Sequence, residues 1–487
     1  MEKVAIIGMG TSGMAVAAAY AKEVPNNQVE IDCYDSEESF GRGFPYREDS
    51  DKLILNLKTR MLSYNYENND DFFDWFNENK LNIPEYASRS DFGLYTKDRL
   101  EQTLKDINAN KITKKVSRLD YLKDKQKWEL ETKDKEIRLY DRVHLCAGEL
   151  PQADPFNLEG NDKYVGSVYP VNTKLNSVDK DDSVTIIGTG LTAVDLATYL
   201  LEEREIKQLY MFSRTNVIPT VRVDPVSLNI NIMTYDKISE IIEKGNGLIS
   251  FEEFDDLFNK ELKSHGIDYE SFVNKHMIGG IEGLKVNIEE PKDLAIVQAL
   301  LPPMNLIFNK VWISLSDTDR RLFRQKYHPF MCLNRSPLPM ISAELLIKAA
   351  EDRRLTILNN ISDIKVNKED KSFQILRNLN NLSNLNNEKE VVVNSDWVCN
   401  ATGLDTSLET LDRKNTLVGS LLDKGYLQVD DYGGVTVLPE DMSAISPRLG
   451  TLSNLHVHGV LASGVQYRNN STLIIQRTAH DLIKKLY

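Results

Sequence analysis

Sulfur is scarce in this chain. Its 487 residues include four cysteines, Cys33, Cys146, Cys332 and Cys399, and no two are close in sequence. That excludes a CxxC electron relay and a thiolate zinc spacing. Four reduced thiols are the expectation. No cluster with metal-ligand spacing and no Ser–His–Asp set stands out, so no metal is expected. Basic excess is also lacking: 59 Lys and Arg face 73 Asp and Glu, a formal charge of −14. Such a chain is a poor partner for nucleic-acid phosphate, and the charge reads as solubility. No apolar run reaches the roughly 18–20 residues that cross a bilayer. The opening MEKVAIIGMG enters a strand without a charged leader. A cytoplasmic protein with neither nucleic-acid nor membrane partners is expected, built as two or three domains.

What is present is one device, twice. Val4–Ile7 is a short β-branched run of the kind found in a central parallel strand. Gly8, Gly10 and Gly13 follow as GxGxxG, with Ser12 inside the turn. Gly8 permits the tight turn, Gly10 leaves room for a pyrophosphate and Gly13 lets the helix pack close to the strand. The helix start offers free N–H groups to phosphate. The next strand, VEIDCYD, ends at Asp35, 22 residues after Gly13, near the spacing for a ribose hydroxyl contact. The second turn comes 180 residues after the first. SVTII leads into Gly188, Gly190 and Ala193, with Leu191 and Thr192 opening the helix. The strand after it, QLYMFS, ends not in an acid but in Ser213 and Arg214.

That difference assigns the cofactors. A carboxylate binds an adenosine ribose and repels a 2′-phosphate, whereas an arginine makes charge-assisted contacts to that phosphate. The first turn suits the ADP half of FAD and the second suits NADPH. Arg222 is the alternative to Arg214.

With these two turns the chain resembles the flavoproteins that have two dinucleotide-binding domains, and especially the flavin-dependent monooxygenases: the N-hydroxylating, flavin-containing and Baeyer–Villiger enzymes. HLCAGELP (His144–Pro151) is similar to their link out of the FAD domain. CNATGLDTS (Cys399–Ser407, with Gly403) is similar to the motif that returns to it. NLHVHGVLASG (Asn454–Gly464, with Gly459) is similar to the last FAD strand, which meets the ribityl chain. Val460 follows Gly459 where many such proteins have Asp, and FGRGFPY replaces the usual Gly-Gly-x-Trp. FGRGFPY (Phe40–Tyr46), LILN (Leu53–Asn56) and DFFDWF (Asp71–Phe76) resemble a narrower bacterial FAD–NAD(P)-binding family. That family is itself similar to flavoenzymes that oxidise the amine of aspartate.

The expected fold is α/β, with two Rossmann-like, doubly wound dinucleotide-binding domains and a helical insertion. Residues 1–160 form the first part of the FAD domain, with a small β-meander at 115–140, and residues 395–487 its second part. Residues 165–222 and 335–394 form the NADPH domain. The stretch 335–394 includes a hairpin with an Asn-rich loop. Residues 225–330 show helical periodicity in YDKISEIIEKG and FEEFDDLFNKELKSHG. They could cover the active site, form an interface or brace two domains.

The resemblance implies an NADPH-dependent FAD monooxygenase that acts through a flavin hydroperoxide on a small nucleophilic substrate, with O2 as co-substrate. The alternatives are a reductase without oxygen transfer and a non-catalytic flavin sensor. Candidate residues follow. Asn56 would lie near the flavin, or is a turn asparagine. Arg42 would reach FAD phosphate, or is a surface charge. His328 is the histidine best placed for proton transfer near neutral pH, with Arg335 close by in sequence. Asn469, Asn470 and Ser471 cap the last helix, a start that could also face negative charge on reduced flavin.

Overall fold

A computed structural model describes the whole chain except Asn26, Tyr66, Glu149, Lys368, residues 379–388 and residues 468–470. The Asn-rich loop and Asn470 therefore lie outside the described residues. The chain divides into two units. One comprises Met1–Asp49, Leu57–Pro151 and Leu404–Tyr487; the other comprises Ser50–Asn56 and Gln152–Gly403.

The first unit is built on a six-stranded sheet in the order Ser443–Ser446, Gly450–Val457, Arg142–Leu145, Glu2–Ile7, Val29–Tyr34 and Asn110–Ile112. All neighbours are parallel except the first pair. The strand Glu2–Ile7 is flanked on both sides, which is why Val4 to Ile7 are apolar and buried. The helix Thr11–Glu23 packs against the last helix, Thr472–Leu486. Its run of alanines permits that close approach. The expected meander is an antiparallel three-stranded sheet, Val116–Leu122, Lys127–Thr132 and Ile137–Tyr140.

The second unit repeats the plan. Its five-stranded parallel sheet runs Leu355–Ile357, Gln208–Phe212, Ser183–Ile187, Trp397–Asn400 and Tyr164–Val165. A second antiparallel three-stranded sheet is formed by Ile361–Val366, Phe373–Asn378 and Lys389–Ser395. In each unit the chain runs strand, glycine turn, helix and strand. It later forms the antiparallel sheet, then a strand that returns beside the first. Residues 50–56 and 152–160, expected in the FAD domain, cluster with the second unit, and so does the later motif. Cys399–Gly403 does not open the later part of the FAD domain. Its strand pairs with Ser183–Ile187, Val398 opposite Thr185, and closes the second sheet. The first unit resumes at Leu404.

Residues 225–330 form helices, as their periodicity predicts, and cluster with the second unit. Ser250 and Glu253 make a reciprocal capping box, and Ser316 caps the helix Asp317–Asn334. The helix Lys292–Ser314 is, by length and composition, long and apolar enough to cross a membrane, against the expectation that no run is. Its Leu294, Leu301, Met304, Phe308 and Trp312 are buried among the described residues.

One buried layer of the first unit is not apolar. His144 and His456 are register partners on adjacent strands, and His458, two residues on, shares their face. His144 Nε2 lies 3.0 Å from Tyr20 Oη, and its Nδ1 lies 3.1 Å from His458 Nε2. Arg142 Nη1 is 2.7 Å from His456 Nε2. Burial holds His144 well below the ordinary histidine value, His456 at about 4 and His458 at about 3. All three are neutral in the folded protein at neutral pH.

Candidate cofactor sites

The first glycine turn is shaped by backbone from three directions. Gly8 has φ +92°, and a Cβ there would stand 2.6 Å from the Cys146 carbonyl at the end of the returning strand. Gly13 packs on the turn itself, with a Cβ position 2.0 Å from Gly8 O. Gly10 corrects a sequence expectation. Its missing side chain faces the Cα of Gly43, 2.9 Å from the Cβ position, and not a space left for pyrophosphate. The FGRGFPY segment is thus clamped onto the turn, and only two glycines in contact allow it. Gly10 caps the helix without a side-chain hydrogen bond, so the first helical N–H groups take no side-chain cap.

Around this turn lie groups that fit an ADP moiety. Asp35 follows its strand as expected. Oδ2 accepts from Met9 N at 2.7 Å and Oδ1 from Ser36 N at 2.7 Å, which fixes the carboxylate and leaves each oxygen a further lone pair. Burial raises its pKa, against those two backbone bonds. Arg42 and Arg47 each bury an Nε with no hydrogen-bond partner among the described residues. Two buried, unpaired donors beside a phosphate-type turn are what a bound anion would satisfy. Arg47, which donates to Ser39 Oγ at 2.6 Å, was not singled out from the sequence; its position one residue past FGRGFPY was the available signal.

The strand end at Gly459 also reaches this turn. Gly459 has φ +71°, and a Cβ there would stand 2.3 Å from Ser12 Oγ. Just beyond, Ser463 Oγ and Gln466 Oε1 are buried without partners among the described residues, in residues 2% and 8% exposed. Sequence reasoning passed over both. Ser471 caps the last helix, accepting from Ile474 N at 3.3 Å.

The second turn is built alike with different chemistry. Gly188 has φ +126°, and its Cβ position is 2.7 Å from the Ala401 carbonyl, the counterpart of Cys146. Ala193 is fully buried against the sheet. A Cβ on Gly190 would meet nothing within 4 Å, so this glycine, unlike Gly10, opens on free space. It precedes Leu191 and Thr192 at the helix start, again without a side-chain cap bond. Gly403, φ +92°, is likewise open, and it lies in this unit. In place of an acid, Ser213 Oγ pairs with Thr189 Oγ1 at 2.9 Å. Arg214 is exposed and has no hydrogen bond or ion pair among the described residues. Arg222, by contrast, commits its Nε to the Asn56 carbonyl at 2.6 Å. Arg214 is therefore the available cation, and Asn56 groups with the second unit.

His328 lies against Cys332 Sγ, 3.4 Å from its Nε2, one helical turn away. Arg335 donates twice to Asn305 Oδ1, at 3.0 and 2.7 Å. Both contacts lie within the helical layer.

Residues 5–150 match the model of a family described as FAD-NAD(P)-binding. Over 217 residues the chain is 25% identical to the thiol-specific monooxygenase of Saccharomyces cerevisiae, covering 41% of this chain and 46% of that protein. The chain thus spans about half the length of this curated relative. Among solved structures it is similar to an ornithine N-hydroxylase from Kutzneria with reduced FAD, NADP+ and ornithine. The TM-score is 0.55 at 12% identity, covering 100% of this chain and 99% of that one. It is also similar to a bacillithiol disulfide reductase from Bacillus cereus, with TM-score 0.50 at 12% identity, covering 100% and 98%. The chain has the two-domain α/β fold that these flavoproteins share, and its first 150 residues carry an FAD-NAD(P)-binding region.

Proposed function

We propose that the protein is an NADPH-dependent FAD monooxygenase acting on a small nucleophilic substrate, with amines and amino acids the first class to test. The balanced reaction takes substrate, O2, NADPH and a proton to oxygenated substrate, NADP+ and water. The observation that carries the coenzyme assignment is the opposite ribose chemistry of two equivalent turns, the fixed carboxylate Asp35 at one and Arg214, a cation without a partner among the described residues, at the other; the likeness to an ornithine N-hydroxylase favours oxygen transfer. Bound FAD supplies two-electron chemistry with nicotinamide and with oxygen. The residues supply the binding. The helix start at Thr11 and the guanidinium groups of Arg42 and Arg47 meet the FAD phosphates, and Asp35 meets its ribose. Ser463 and Gln466 present polar groups to the remainder of FAD. At the second turn, Gly190 leaves room for the NADPH pyrophosphate and Arg214 takes the 2′-phosphate. Of the three residues read as catalytic, this proposal retains Asn56. Its carbonyl is pinned by Arg222, and its side-chain amide has no partner among the described residues. A cytoplasmic location belongs to the same proposal and is tested by fractionation; none of the four cysteines is in a disulfide.

A second reading is a flavin reductase without oxygen transfer, favoured by the likeness to the bacillithiol disulfide reductase. Both readings share the coenzyme site, which is tested first. Arg214→Ala is expected to weaken NADPH by roughly 10–100-fold, as one charged phosphate contact of about 1.5–3 kcal/mol is lost. NADH affinity should stay nearly constant. Anaerobic reduction of the flavin, titrated with each coenzyme, measures both. An unchanged NADPH to NADH ratio would remove Arg214 from the site.

A further inference from the structure

Arg214 is a long exposed side chain with no partner among the described residues, so its backbone determines where its charge stands. We propose that Asn216 is a positioning residue that sets the coenzyme selectivity of the second turn by fixing the Ser213–Thr215 loop. This inference rests on the reading of Arg214 as the 2′-phosphate ligand.

Asn216 is 6% exposed and left-handed, with φ 55°. Its Oδ1 accepts from Ser213 N at 2.6 Å, while its own N donates to Ser213 Oγ at 2.9 Å. Its Nδ2 donates to Leu358 O at 2.7 Å and to Asn359 Oδ1 at 2.8 Å, beyond the neighbouring strand. Ser213 Oγ in turn pairs with Thr189 Oγ1, the residue between the first two glycines, and Thr189 donates to Val217 O at 2.9 Å. From the helical layer, Gly280 N donates to Asn216 O at 2.7 Å. Gly279 packs so closely that a Cβ there would stand 2.8 Å from Thr215 O. Three stretches of chain, Ser213, Leu358–Asn359 and Gly280, therefore meet on one buried asparagine, Thr189 and Gly279 hold the loop on either side of it, and that loop carries a cation with no partner among the described residues. That arrangement pre-orders the backbone before coenzyme arrives, so less ordering is required on binding. It also gives the helical layer a stated part, since Gly279 and Gly280 brace the loop.

The test uses the full-length protein and two coenzyme fragments, 2′,5′-ADP and 5′-AMP, titrated calorimetrically. Asn216→Gly keeps the left-handed backbone accessible and removes the three side-chain bonds. The ratio of the two affinities is expected to fall by about 10-fold, with 5′-AMP binding little changed. Combined with Arg214→Ala, the same change should lower the ratio no further. Gly279→Ala presses on the loop from the other side and should lower the ratio too; it serves where Asn216→Gly does not fold. An equal loss for both fragments, an unchanged ratio, or an undiminished effect in the Arg214→Ala background would overturn the proposal. If Arg214→Ala abolishes the preference and neither Asn216→Gly nor Gly279→Ala lowers it, this inference alone falls. If the unmodified protein shows no preference, or Arg214→Ala leaves it intact, the reading of Arg214 falls and takes this one with it.

Discussion

Replacing Gly10 with valine will yield a protein that purifies without FAD. The reason is a contact between two backbones. The Cβ position at Gly10 lies 2.9 Å from Gly43 Cα, and the reverse construction at Gly43, φ +63°, lies 3.2 Å from Gly10 Cα. A valine there must push the FGRGFPY segment off the turn, and that segment carries Arg42 and leads into Arg47. The glycine turn and its helix start would no longer be held beside the segment that carries Arg42 and leads into Arg47, each with a buried Nε. Gly190→Val provides the contrast, because Gly190 opens on free space. It should fold, retain flavin and lose NADPH, since the side chain projects where the coenzyme must approach. The measurement is the flavin-to-protein absorbance ratio after gel filtration, with circular dichroism to check folding. A folded Gly10→Val protein holding stoichiometric FAD would contradict the placement of FAD at this turn.

A second large effect concerns pH. The unfolded chain takes up protons on His144, His456 and His458 below about pH 6.5. The folded protein refuses them until about 4 at His456 and about 3 at His458, and His144 is held well below its ordinary value. Between these limits the unfolded state binds more protons. Stability is therefore complete above about pH 6.5 and is lost as pH falls towards 4. At about 1.4 kcal/mol per group per pH unit, His456 and His458 together remove roughly 4 kcal/mol by pH 5, and His144 acts in the same direction. The surrounding groups reinforce this: Arg142, 2.7 Å from His456, opposes a second positive charge, and Tyr20 contributes only a neutral hydroxyl. Glu2 is committed to Arg142 and to Tyr487 Oη, and Asp441 meets His456 through its backbone carbonyl. Asp35, whose pKa burial raises, acts in the opposite sense at the lower end of the window. Urea unfolding at pH 7 and pH 5 measures the effect. His458→Asn should reduce the difference by roughly 2 kcal/mol; equal midpoints at the two pH values would refute the mechanism.

The two turns were legible because their determinants are local. A β-branched strand, three small residues at fixed spacing and the end of the next strand lie within about 30 residues. Asp35 and the Ser213–Arg214 pair could be compared directly for the same reason. The helical layer and the meander were legible from periodicity. What escaped depends on contacts between residues far apart in sequence. Gly10 and Gly43 are each ordinary glycines until the fold brings them together. Cys399–Gly403 was assigned to the wrong unit because strand order, not motif, decides which sheet it closes. His456 and His458 alternate on one strand, a visible pattern, but their partner His144 is 312 residues away from His456. Asn216 belongs to no motif, and its hydrogen bonds to Ser213, Leu358, Asn359 and Gly280 exist only in the folded chain.

Oxygen handling separates the proposed monooxygenase from the reductase reading most directly. The FAD-loaded protein is reduced with one equivalent of NADPH without oxygen, then mixed with oxygenated buffer while hydrogen peroxide is followed in time. Slow peroxide release that a nucleophilic substrate, screened from amines and amino acids, suppresses further is the expected result, because the oxygen then leaves in product and water. Prompt, stoichiometric peroxide that no such substrate diminishes would contradict oxygen transfer and leave a reductase on this fold.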